Sequence, residues 1–101
     1  MTGAPLIRHV SIRGRVQGVG FRAWTEHLAL RHGLEGWVRN RRDGSVEAVF
    51  CGPDQAVAAM VAACRKGPRG SGVDDVAELQ GGAELLARRY AGERFSVLPT
   101  V

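Results

Sequence analysis

The sequence predicts an α+β sandwich, one antiparallel sheet of four to five strands with two helices packed on one face. Three features predict it. Apolar residues alternate with a period of two in some segments and recur at helical spacing in others, which separates strands from amphipathic helices. These segments follow one another as βαββαβ with a further short strand, the split βαβ or ferredoxin-like order. Between the second and third strands, Asp43-Gly44 is a hairpin signal, so those two strands are antiparallel neighbours.

Leu6 to Arg13 forms the first strand, with Ile7, His9 and Ser11 on one side and Arg8, Val10 and Ile12 on the other. A helix begins at about Phe21 and places Phe21, Trp24, Leu28 and Ala29 on one face, and Gly33 stops it. Leu34 to Arg41 is the second strand, with Val38 and Asn40 opposite Trp37 and Arg39. Ser45 to Cys51 is the third. Gly52-Pro53-Asp54 opens the second helix with Pro at its first helical position. Val57, Met60, Val61 and Cys64 repeat there at i, i+3, i+4, i+7, and Gly67-Pro68 ends it. Val73 to Leu79 and Arg94 to Leu98 complete the strands. Between them, Ala83 to Tyr90 suits either a short helix or a lid. The 101 residues are expected to form a single domain, 1–101.

The loop that leaves the first strand carries the chemistry. Gly14, Gly18 and Gly20 allow positive φ, so the N–H groups of Val16, Gln17, Gly18, Val19 and Gly20 are free to turn inward as an anion-binding nest. The N-terminus of the following helix adds uncompensated N–H groups at the same place. Arg22, in the first turn, opposes the helix dipole at a cost of about 0.3–1 kcal/mol. A bound anion reverses that cost, because a guanidinium grips phosphate through two parallel hydrogen bonds.

In this topology the first and second strands run the same way with the third between them, so their C-terminal ends share one sheet edge. Two strand spacings, about 9.5 Å, separate those ends. Arg22 and Asn40 are therefore expected to face one pocket. Asn is depleted in strands, and the parity of Asn40 turns it to the helix side, where its amide can hold a water through both donor and acceptor. A cap on the hairpin turn is the alternative role. Charge supports an anion site: residues 1–42 carry eight Arg against two Glu, a net of +6, whereas residues 43–101 have a net of −2. Arg13, Arg15, Arg22, Arg39, Arg41 and Arg42 are expected to crowd around the loop and the end of the second strand, drawing in a small anion.

Other chemistries find little support. His27 and His32 are five residues apart, whereas paired ligands on one helix face need four, and His9 is far from any Cys pair. No nucleophile sits in an elbow or dyad, and Glu26, Glu35, Asp43 and Glu47 read as helix-face, turn and strand-face acids. Gly18 to Ala23 fits a dinucleotide fingerprint in letters alone, because a hairpin follows where a parallel strand is required. RNA-recognition modules of this fold stack bases on aromatics of the central strands. The first and third strands here offer only Phe50. No apolar run reaches the roughly 20 residues of a membrane span. The first five residues lack the pattern of a secretion signal. Cys51 and Cys64 read as buried free thiols, consistent with a cytoplasmic location.

The residues also carry a resemblance. Ile12, Gly14, Val16, Gln17, Gly18, Val19, Phe21 and Arg22 match the first signature of the acylphosphatase family at every constrained position. Gly36, Trp37, Val38, Arg39, Asn40, Gly44, Val46 and Gly52 match its second, and the resemblance runs from about residue 6 to residue 79. It implies hydrolysis of a carboxyl–phosphate mixed anhydride, with Arg22 and the backbone of residues 16–20 holding the phosphoryl group and Asn40 positioning the attacking water. It implies no metal, no cofactor, and a small acyl phosphate as the sole partner of a monomer, without nucleic acid or membrane. A non-catalytic phosphate-binding module and an RNA-binding module are the alternatives. Gln80 to Gly92 departs most from the family pattern and is where substrate access or placement of the last strand is expected to differ.

Overall fold

A computed structural model describes residues 5–101. Residues 1–4, most of the stretch read for a secretion signal, lie outside the described residues. The elements are β1 (Leu6–Arg15), α1 (Phe21–Arg31), β2 (Glu35–Asn40), β3 (Val46–Gly52), α2 (Asp54–Lys66), β4 (Gly72–Leu79), α3 (Ala83–Leu86) and β5 (Phe95–Val97). They build a five-stranded sheet in the order β4-β1-β3-β2-β5. The expected α+β fold is present, with two differences in detail. The sheet is mixed, because β5 lies parallel to β2, with Val38 opposite Val97. Pro53 is the N-cap of α2 rather than its first helical residue.

Alternation decides which side chains form the core. Val10 and Ile12 of β1, Val38 of β2, and Val46, Ala48 and Phe50 of β3 point to the helix side. There they are buried with Phe21 and Ala29 of α1 and Val57, Met60, Val61 and Cys64 of α2. Phe50 stacks on Phe95 in this layer, with ring centroids 6.0 Å apart, so it is no surface platform for a base. The C-terminus of α1 closes with Leu34 N–H donating to the Ala29 carbonyl and Gly33 N–H to the Leu30 carbonyl. That is the paired bonding of a Schellman motif, with Leu34 and Ala29 buried together.

The opposite face of the sheet is covered in part by residues 80–92, whose conformation sequence periodicity left open. They contain the four-residue α3, and its Leu85 and Leu86 pack on a second cluster of Trp37, Val49 and Leu98. Trp37 Nε1 donates to the Leu85 carbonyl at 2.7 Å. The segment thus serves as a patch over Trp37 on the face away from the helices. Cys51 and Cys64 are free and buried, and burial pushes the Cys64 thiol up to about 12.

A buried carboxylate organises the rest of that face. Glu47 accepts hydrogen bonds from Arg39 Nε and Arg41 Nη1, both at 2.8 Å, and pairs with His9 Nε2 at 2.6 Å. Arg39 also lies over the Trp37 ring, 4.7 Å from its centroid. Burial pushes the Glu47 carboxyl up, but the hydrogen bonds from Arg39, His9 and Arg41 outweigh that and hold it below the ordinary glutamate value. A depressed native pKa contributes stability above the unfolded value and loses it as the pH falls. Unfolding free energy from urea titrations should therefore decline as pH drops from about 5 toward 3. Glu47→Gln should lower stability at neutral pH by about 1–3 kcal/mol and flatten that acid slope.

Candidate active site

The loop between β1 and α1 alternates in backbone handedness. Gly18 and Gly20 have φ of 75° and 79°, and no non-glycine residue described has positive φ, so Val19 between them is of the ordinary hand. Alternation of this kind turns successive N–H groups toward one concavity. Val16 is buried and Val19 packs against the core, which anchors the loop from beneath. Gly20 is the N-cap of α1 in the left-handed region; no side chain caps the helix, and its first turn holds no acid. The amides at this end are left for an external acceptor.

These features surround one cavity of about 340 Å³. Val16, Gln17, Gly18, Gly20, Phe21 and Arg22 form its loop side, and Asn40 enters from the end of β2. The two side chains singled out from sequence, Arg22 and Asn40, are thus brought together as the strand topology required. Asn40 is not the cap of the hairpin: that role falls to Asp43, whose Oδ1 accepts from both the N–H and the hydroxyl of Ser45, at 2.9 and 2.6 Å. Those bonds are the main reason the Asp43 carboxyl lies below its ordinary value. Among the described residues, no side-chain hydrogen bond or ion pair engages Arg22 or the Asn40 amide. The Asn40 backbone carbonyl accepts from Val101 N–H, which fixes the strand end beneath its side chain.

The basic cluster is divided rather than gathered. Arg39 and Arg41 turn to the other face of the sheet and pair with Glu47, and Arg13 pairs with Asp43 at 3.4 Å. Charges so matched add little to the field at the loop. Among the described residues lining the cavity, Arg22 is the one cation. No three His, Cys, Asp or Glu side chains gather as metal ligands among the described residues. No helix there is long and apolar enough to cross a membrane.

Sequence reasoning missed two contributions. The Gln17 side chain, treated only as a source of backbone N–H, donates from Nε2 to the carbonyls of Arg41 and Ser45 at 2.7 and 2.9 Å. It ties the glycine loop to the β2–β3 hairpin, and so fixes the loop amides relative to Asn40. A loop glutamine has no periodic signal that reveals this. Glu26 also lines the cavity. Its position four residues after Arg22 places it on the same helical face, which is the signal that was available.

Comparison with known proteins points the same way. The acylphosphatase family model matches residues 8–85. An acylphosphatase of Bradyrhizobium diazoefficiens is 64% identical over 95 residues, 94% of this chain and 96% of that protein. Another, from Rhodopseudomonas palustris, is 57% identical over 95 residues, with the same coverage of both chains. Among solved structures, the acylphosphatase of Bacillus subtilis superposes with a TM-score of 0.76 at 36% identity, covering 92% of this chain and 99% of that one.

Gln17→Leu removes both bonds to the hairpin and leaves the loop backbone composition unchanged. Inorganic phosphate should then bind about tenfold more weakly by calorimetry, matching the loss of roughly 1.4 kcal/mol of positioning. Thermal unfolding should stay cooperative.

Proposed function

The chain belongs to the acylphosphatase family, and on that premise we infer that it hydrolyses acyl phosphates at the cavity shared by Arg22 and Asn40. The observation that carries this reading is the convergence on a single cavity of a glycine nest, an uncapped helix N-terminus, and a guanidinium and an amide without side-chain partners among the described residues.

The reaction asks little else of the protein. The backbone N–H groups of residues 16–20 and the Arg22 guanidinium hold the non-bridging phosphoryl oxygens. Asn40 orients a water for in-line attack on phosphorus. A P–O bond forms to the water as the P–O bond to the acyl group breaks, and the carboxylate departs with that electron pair. The water's proton passes to a phosphoryl oxygen. A carboxylate is a good enough leaving group to need no general acid. The loose transition state of phosphoryl transfer is served mainly by positioning and charge stabilisation. This chemistry requires no metal ion or cofactor, and we take the chain as one domain acting as a monomer in the cytoplasm, with no nucleic acid or membrane partner.

Benzoyl phosphate hydrolysis in the presence of a chelator tests the reading. Wild type should retain full activity. Arg22→Ala should lose phosphate affinity and rate together, lowering kcat/KM by about 10³-fold, as for a charge clamp on a transferring phosphoryl group. Asn40→Ala should lower kcat by about 10²-fold while largely sparing inorganic phosphate binding, the pattern of an interaction made only in the transition state. Wild-type turnover in the Asn40 variant would remove the water-positioning role.

A further inference from the structure

We propose that Glu26 is a charge filter for the acyl group, making the site favour acyl phosphates with an uncharged or cationic acyl part over those bearing a second anion. The inference rests on the function proposed above and specifies the substrate class of that same cavity.

Glu26 lines the cavity together with Arg22 and Asn40. It is four residues beyond Arg22 on α1, hence one turn further from the helix N-terminus on the same face, with Cβ atoms about 5–6 Å apart. The phosphoryl group is bound at the near end, where the loop amides and the helix N-terminus lie. The cavity is larger than a phosphoryl group, and beyond the loop side and Asn40 its lining residues are Ala23, Glu26 and Val97. Two are apolar and the third is acidic. The one lining cation among the described residues, Arg22, is already committed to the phosphoryl oxygens. A second anion on the substrate therefore meets a carboxylate and no compensating charge.

Among the described residues the Glu26 carboxylate takes part in no ion pair or side-chain hydrogen bond, although the i, i+4 spacing brings Arg22 within reach. It is half-buried, so water screens it only in part. Two like charges about 8 Å apart near a protein surface repel enough to change a rate constant severalfold at physiological salt, and less as salt is added. Placing the acid one turn beyond the phosphoryl site separates the two effects. The nest and Arg22 dominate at the helix end, and Glu26 dominates where the acyl group extends.

The test compares benzoyl phosphate with 4-carboxybenzoyl phosphate, which share ring, anhydride and phosphoryl group and differ by one carboxylate. Because any effect of Glu26 on the phosphoryl group is common to both, the ratio of their kcat/KM values isolates its effect on acyl charge. Wild type should prefer benzoyl phosphate, and that preference should weaken as ionic strength rises. In Glu26→Gln the preference should fall by about three- to tenfold, and in Glu26→Lys it should fall further or invert. A ratio unchanged in both variants overturns the filter and leaves the acylphosphatase reading standing, since benzoyl phosphate is still hydrolysed. Failure of wild type to hydrolyse benzoyl phosphate at all overturns both.

Discussion

The molecule depends on β3 running antiparallel between β1 and β2. That arrangement makes β1 and β2 point the same way, so the loop leaving β1 and the last residue of β2 reach the same edge of the sheet. A glycine nest and a strand asparagine 20 residues apart in sequence are thereby held over one cavity. Sheet geometry alone sets their separation only to within the play of a loop. The Gln17 amide removes that play by gripping two hairpin carbonyls across the end of β3. Its neutral amide does so without adding a second cation to the cavity.

Charge is partitioned by the two faces of the sheet. On the open face three cationic or basic side chains converge on Glu47, which satisfies a carboxylate only 5% exposed and fixes Arg39 over Trp37. Breaking such a cluster leaves buried charge uncompensated, so its members are constrained together. On the helix face the opposite rule holds. Among the described residues, Arg22 has no side-chain hydrogen-bond or ion-pair partner, and no side chain caps the amides at the start of α1. The proposed function requires this arrangement, because a carboxylate bound to Arg22 or to the helix end would have to be displaced before a phosphoryl group entered. Of the eight arginines in the first 42 residues, Arg8, Arg13, Arg39 and Arg41 are therefore held in ion pairs, and Arg22 is the one that lines the cavity.

Much of this was legible in the sequence because it is written in periodicity. The alternation of Val10 and Ile12 and the helical repeat of Val57, Met60, Val61 and Cys64 placed the core correctly. The parity of Val38 carried Asn40 to the helix side. What was not legible depends on single long-range contacts. Glu47 reads as an ordinary strand-face acid until His9, Arg39 and Arg41 are seen around it, and Gln17 reads as loop filler until the hairpin folds back under it. Residues 80–92 lack a repeat because only Leu85 and Leu86 pack on the sheet, half-buried, and what they cover is a tryptophan on a distant strand. The basic residues misled for a related reason: composition counts charges, whereas β-strand alternation sends Arg39 to the opposite side of the sheet from Asn40.

The start of α1 shows how stability is given up for the site and where it is recovered. A left-handed glycine cap without a side-chain acceptor forgoes roughly a few tenths of a kcal/mol relative to serine or aspartate, and a first-turn arginine adds about 0.3–1 kcal/mol. The far end of the same helix is closed by both bonds of a Schellman motif. Phe21, Thr25 and Ala29 along its length are buried, Thr25 also donating its hydroxyl to the Phe21 carbonyl at 2.8 Å. A helix so fixed at its C-terminus and along one face tolerates an unfavourable N-terminus without fraying, which is the condition for holding donors in place before the anion arrives. Preorganised donors cost no rearrangement when charge develops on the phosphoryl oxygens. In the proposed function, the electrostatic defect in the free protein and the binding energy of the site are thus the same interaction, seen without and with its ligand.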